Sequence, residues 1–190
     1  DVVVRITGDC PFVDANLVDQ VVERYFTKKV DYFSNAMPPT YPDGLDVEVF
    51  SFRVLEQSHM QSQDSYEREH VTPYARMSGI FQTGNLESSE DHSSIRLTLD
   101  EYEDFILIDK IFNYFAPNIY FTLTEILSLR ARLPDIFEIN KHIYRNEGTC
   151  MGTGQKLYKR AKRLIPGGNM LLSKRPEMFL PDKWPAYFSK

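Results

Sequence analysis

Apolar and polar positions fall into blocks along this chain, and their spacing shifts between that of strands and that of helices. Val2-Val3-Val4-Arg5-Ile6-Thr7 is short, rich in β-branched residues and followed at once by Gly8, which predicts a buried strand over 2–7. Asp14 precedes Val18, Val21, Val22 and Tyr25, which recur at helical spacing, so a helix capped by Asp14 is expected to run to about Thr27. Residues 31–34 read as a short strand, and 37–44 as a loop carrying Pro38, Pro39 and Pro42. Leu45-Asp46-Val47-Glu48-Val49-Phe50 alternates apolar and acidic, the pattern of a half-exposed strand. Helices are expected at about 52–61 and 66–76.

Ile95-Arg96-Leu97-Thr98-Leu99 predicts a further strand. Asp100 and Glu103 then read as a capping box for a helix whose apolar face is Phe105, Ile108, Ile111, Phe112 and Phe115. Thr122 and Glu125 repeat that signature before a helix ending near Leu133-Pro134. Alternating strand and helix signals predict an α/β fold, a sheet with flanking helices.

Composition narrows the class. Apolar content of 42% with 26% charged residues is that of a globular protein. No run approaches the ~18 apolar residues of a membrane-spanning helix, so no membrane association is expected. Cys10 and Cys150 form no CxxC pair and no disulfide framework, which points to a reducing cytoplasm. The start at Asp1, with no initiator Met and no signal-peptide pattern, reads as a strand cut from a longer chain.

Charge divides the chain. Residues 1–150 carry 13 basic and 25 acidic residues, whereas 151–190 carry nine and two, a change from −12 to +7. The shift falls beside a Gly/Thr-rich stretch, so 1–146 is expected to be one domain, 147–154 a linker and 155–190 the start of another. Leu157, Ala161, Leu164 and Ile165 line an amphipathic basic helix over 155–165, followed by Pro166-Gly167-Gly168. Its charges read as a solvated face rather than a nucleic-acid stripe.

The candidate chemistry lies in two aspartates about ninety residues apart, each closing an apolar run. Asp9 leads into Cys10-Pro11, and Asp100 into Glu101-Tyr102. Acidic residues at strand ends of an α/β sheet sit where such folds bind ligands. Mg²⁺ takes one or two carboxylates together with phosphate oxygens, so the pair suggests a metal carrying nucleotide phosphates. Asp100 reads equally as a helix cap, and Asp9 as a turn residue before Pro11. Glu103 and Asp104 read as first-turn acids favourable to the helix dipole. Asp46 and Glu48 share a strand face, where they meet either sugar hydroxyls or solvent. Arg68 and His70 are candidates for an anionic group or plain helix-surface residues, and Asn35 and Tyr41 are candidates for a pocket wall. Cys10 reads as a small buried residue beside the site.

Four ordered segments together resemble the sugar cytidylyltransferases, of the kind that make CMP-activated acidic sugars. They are Val4-Arg5-Ile6-Thr7-Gly8-Asp9-Cys10-Pro11-Phe12-Val13-Asp14, Tyr41-Pro42-Asp43-Gly44-Leu45-Asp46-Val47-Glu48-Val49-Phe50, Tyr66-Glu67-Arg68-Glu69-His70-Val71-Thr72-Pro73-Tyr74 and Leu97-Thr98-Leu99-Asp100-Glu101-Tyr102-Glu103-Asp104. Asp31-Tyr32-Phe33-Ser34-Asn35 adds to the match. The likeness spans about 1–145, includes CMP-KDO and acylneuraminate synthetases, and is greatest for the spore coat polysaccharide biosynthesis protein F type. It implies part of a nucleotide-diphospho-sugar-transferase-like, Rossmann-like sheet. It also implies CTP and an acidic sugar as substrates, with Mg²⁺ on Asp9 and Asp100. Asn35, Tyr41, Asp46, Glu48, Arg68 and His70 would face the substrate. The family's nucleotide loop has no counterpart here, so the isolated chain is expected to be inactive; Tyr102 also departs from the family's Asp-Thr-Pro-Glu-Asp. A homodimer is compatible with the many aromatics.

Gly154-Gln155-Lys156-Leu157-Tyr158-Lys159-Arg160-Ala161-Lys162-Arg163-Leu164-Ile165-Pro166-Gly167-Gly168 resembles the first helix of class III aminotransferases, glutamate-1-semialdehyde type. That likeness implies a two-enzyme fusion, with pyridoxal phosphate (PLP) bound only downstream of this chain. Two alternatives follow: the main activity lies in the PLP half, or the segment is a non-catalytic interaction module.

Overall fold

The structure is a computed structural model, and it describes residues 1–63 and 65–145. The linker, the basic helix and the aminotransferase-like stub expected beyond 146 lie outside the described residues. Residues Asp1–His142 form one compact unit.

Its elements are β1 (Val2–Arg5), α1 (Ala15–Lys28), β2 (Tyr32–Ser34), β3 (Glu48–Ser51), α2 (Phe52–Gln61), α3 (Ser65–His70), α4 (Pro73–Met77), β4 (Thr83–Asn85), α5 (Tyr102–Phe115), α6 (Leu123–Arg132) and a 3₁₀ turn at Pro134–Glu138. The four strands form one mixed sheet in the order β1-β3-β2-β4. β3 runs antiparallel to both β1 and β2, while β2 and β4 are parallel. This is the expected α/β class.

Strand parity sends side chains to two cores. Phe33 and Val49 join Leu17, Val21, Leu97, Leu107, Ile111, Ile126 and Leu129 in the larger one, which α1, α5 and α6 cover. Tyr32 and Phe50 turn the other way and pack with Val54, Ala75 and Phe81. Each fully buried large apolar side chain contributes about 1.5–3 kcal/mol, so the larger core carries most of the stability.

Local signals set several helices. Asp14 is the N-cap of α1, accepting from Leu17 N–H at 3.1 Å, while its other oxygen accepts from Leu123 N–H at the start of α6. One carboxylate thus satisfies donors at two helix ends. The Thr122–Glu125 capping box forms as expected.

Five expectations are corrected. The segment 2–7 is not fully buried: β1 has one neighbour among the described residues and alternates exposed and half-buried. The segment 45–50 is not half-exposed, because β3 is central and layers cover both its faces. The helix expected over 66–76 breaks between α3 and α4, where Val71 adopts a left-handed φ of 71° ahead of Pro73. The run 95–99 makes only a single parallel bridge, Asp43 to Arg96. The helix after it starts one residue later than expected, with Glu101 as N-cap and Asp104 reaching back to it; Phe105 is exposed. Strand β4 was not anticipated. Gly and Asn disfavour strands, but a Cβ at Gly84 would lie 2.5 Å from the Phe33 ring, so glycine permits the close pairing.

Candidate active site

Three connecting segments meet at one end of the larger core: residues 6–14, 40–47 and 95–101. Their contacts are mostly backbone. Leu99 N–H donates to the Asp9 carbonyl at 2.9 Å, and the Thr98 hydroxyl donates to the same oxygen at 3.3 Å. Asp43 N–H donates to Ile95 O, and Leu97 N–H donates to Asp43 O at 2.7 Å. Gly44 makes this approach feasible. Its φ is +93°, and a Cβ there would stand 2.5 Å from Thr98 N. The prolines and glycine of the 37–44 loop thus bring its acidic end against the 95–99 segment.

Asp9 and Asp100, distant in sequence, are therefore carried by hydrogen-bonded neighbouring segments. The Asp100 side chain is half-exposed and accepts from Arg96 Nη2 at 2.9 Å. Cys10 is buried beside Asp9; its thiol lies 3.1 Å from the Thr7 hydroxyl and 3.6 Å from Asp9 Oδ1. Burial, with the negative charges of Asp9 and Asp46 adding to it, pushes the Cys10 thiol up to about 11. It is neutral near pH 7, and Asp46 belongs electrostatically to this corner.

Behind Asp100 lies a buried polar knot that the sequence pattern did not reveal. Arg96 donates from Nε to Asp104 Oδ1 at 2.9 Å, from Nη2 to Asp104 Oδ2 at 2.8 Å and from Nη1 to Asp43 Oδ2 at 3.0 Å. Asn140 donates to Asp104 Oδ1 and to the Arg96 carbonyl. Asp104 also accepts from the backbone N–H groups of Asp100 and Glu101. It lies in the first turn of α5, as expected, but is wholly buried. Burial pushes its pKa up, but bonds from Arg96, Asn140 and the Glu101 backbone outweigh that and hold it below the usual carboxylate range. Burial likewise disfavours charged Arg96, yet Asp104, Asp100 and Asp43 raise its pKa above the ordinary arginine value. The available signal was a lone arginine inside an apolar run, which alternation alone assigns to solvent.

The other candidates disperse. Asn35 is buried, with its amide donating to Leu45 O and accepting from Val47 N–H, so it clamps the 45–47 backbone. Glu48 is buried rather than facing solvent; it pairs with Arg5 and accepts from the Tyr32 hydroxyl at 2.6 Å. Tyr41 is half-buried against the larger core, and burial raises its phenol pKa. Arg68 lines a cleft of about 150 Å³ with Leu55, His59, Ser62, Glu67 and Val71. The His70 ring lies 4.5 Å from that of Tyr66.

The arrangement suits a cation shared with a ligand. Among the described residues, no group of three His, Cys, Asp or Glu side chains forms a closed metal cage. Two hard carboxylates on adjoining segments match the donors Mg²⁺ takes when phosphate oxygens and water complete its shell.

The sequence pattern of a family described as cytidylyltransferase matches residues 1–145. This chain belongs to the cytidylyltransferase family. It is 35% identical over 146 residues to the uncharacterized protein MJ1063 of Methanocaldococcus jannaschii, covering 75% of this chain and 58% of that protein. It is 31% identical over 140 residues to the spore coat polysaccharide biosynthesis protein SpsF of Bacillus subtilis, covering 70% and 56%. A solved cytidylyltransferase from Leptospira borgpetersenii superposes with a TM-score of 0.68 at 28% identity, covering 72% of this chain and 58% of that one. The cytidylyltransferase chain thus spans under two thirds of each relative. No helix among its described residues is long and apolar enough to cross a membrane.

Proposed function

We propose that the Asp9–Asp100 corner is the metal and phosphate side of a sugar cytidylyltransferase site. In the reaction, a hydroxyl oxygen of an acidic sugar attacks the α-phosphorus of CTP. The bond from that phosphorus to the bridging oxygen breaks, pyrophosphate leaves, and the hydroxyl proton passes to solvent. The product is a CMP-sugar for surface polysaccharide synthesis, a reading that the likeness to SpsF supports. The observation that carries the proposal is the pair of hydrogen bonds onto the Asp9 carbonyl, which seats Asp9 against the segment that ends in Asp100.

Asp9 and Asp100 would hold Mg²⁺, which when bound neutralises phosphate charge and aligns the leaving group. The protein's part is to fix the two carboxylates before substrate arrives. Asp46, whose charge acts on Cys10, would meet the sugar. The acidic sugar rests on the motif likeness. The test is pyrophosphate release from CTP by the full gene product in native cells, with and without Asp100→Asn. Loss of Mg²⁺-dependent turnover with an unchanged circular dichroism spectrum is expected. Turnover equal to the parent would overturn the assignment.

A further inference from the structure

Asp100 is half-exposed and follows a stretch with little ladder pairing, so nothing in its immediate backbone fixes where its carboxylate points. Its partner is fixed. Arg96 is 8% exposed, and its guanidinium is gripped on three edges by Asp43, Asp100 and Asp104. Its backbone is held as well, through the Asn140 bond to its carbonyl and the bridge to Asp43. Asp104 pins the Asp100 backbone N–H from below. Asp100 is thus held at two points, its carboxylate by Arg96 through Oδ2 and its backbone N–H by Asp104. Asp100 Oδ1 has no protein donor among the described residues.

We infer that Arg96 is a positioning residue, which orients the Asp100 carboxylate so that one oxygen stays anchored and the other is offered to a divalent cation. The inference rests on the reading of Asp100 as a metal ligand. The planar fork matters more than the charge. One guanidinium reaches three carboxylates in fixed directions, whereas a lysine ammonium on a flexible stem cannot hold all three. Charge accounting agrees: one cation among three carboxylates leaves a net negative set facing the cation.

The experiment uses Mn²⁺ alone as probe, read by water proton relaxation on the 190-residue chain. Arg96→Lys is expected to weaken Mn²⁺ binding at least tenfold, as is Asp100→Asn. Val54→Ala, in the smaller core, lowers thermal stability and should leave Mn²⁺ binding within twofold of the parent. Should Arg96→Lys fail to fold, the parent answers the question by NMR. Adding Mg²⁺ must then shift the Arg96 Nη2 resonances more than those of Nη1. If Asp100→Asn abolishes binding while Arg96→Lys keeps it within twofold, or if Mg²⁺ leaves Nη2 unmoved, the positioning role is overturned and the site reading stands. If Asp100→Asn binds Mn²⁺ like the parent, the site reading falls and takes this inference with it.

Discussion

Two buried ionic groups in this molecule invite comparison. In the sheet, Glu48 meets Arg5 and the Tyr32 hydroxyl, so one carboxylate is answered by one cation and one neutral donor. At the loop end, Arg96 meets Asp43, Asp100 and Asp104, so one cation faces three carboxylates. The first is balanced and lies within the ladder, where register sets Arg5 directly opposite Glu48. The second carries surplus negative charge and lies where three connections converge. A balanced pair closes on itself and serves packing. An unbalanced one keeps a capacity for a further cation, which is where the proposed metal ligand stands.

The largest effect should come from breaking the unbalanced group at its buried end. Asp104→Ala removes the wholly buried partner of Arg96 and should cost about 3–5 kcal/mol, read by urea unfolding, because a buried ion pair is broken and Asn140 and two backbone N–H groups lose their acceptor. A loss under about 1 kcal/mol would show that Asp43 and Asp100 suffice. Next in size, Gly44→Ala should cost about 3 kcal/mol, since the added Cβ meets the 97–98 backbone and the residue keeps a left-handed φ. It should also weaken Mn²⁺ binding, because the same approach seats the Asp9 and Asp100 segments.

Breaking the balanced group should cost less. Glu48→Ala is expected to lose about 2 kcal/mol, mostly from the Tyr32 hydroxyl left buried without an acceptor. A loss matching that of Asp104→Ala would erase the distinction. The smallest effect is a pH dependence. Burial, with Glu48 beside it, raises the Tyr32 phenol pKa above the ordinary tyrosine value. In the unfolded chain tyrosine ionises near 10. Above that pH the unfolded chain holds fewer protons than the native one, so stability is full below about pH 10 and falls as pH rises further. Tyr32→Phe should make that decline shallower in thermal melts above about pH 10, with Tyr25 and Tyr41, whose phenols are also raised, leaving the rest; an unchanged slope would assign it elsewhere.

How far the sequence could be read follows from the range of each interaction. The Asp14 cap, the Thr122–Glu125 box and the face Val18–Val21–Val22–Tyr25 were legible because every partner but one lies within a few residues. The strand expected at 95–99 was misplaced because its one partner is the distant Asp43, and the cap expected at Asp100 because Asp104 is turned inward by a buried pairing that helix periodicity does not show. Arg96 turns inward to Asp104, which pulls the helix start to Glu101. Glu48 was read as facing either a sugar or solvent because alternation cannot tell an open face from a second packed layer. Asn35 was read as a pocket residue, and its two backbone bonds are visible only once residues 45–47 are beside it.

By itself the sequence determined the α/β class, most helix starts, the family, and the two aspartates that deserved testing. Those follow from local spacing, capping chemistry and motif order. Only the tertiary structure decided that Asp9 and Asp100 are neighbours, that β3 is buried on both faces, and that Arg96 is shared among three carboxylates. Most of these depend on contacts between residues far apart in sequence, such as Asp9 with Thr98 and Asp43 with Arg96, and such contacts arise from chain closure and burial, which local pattern does not encode.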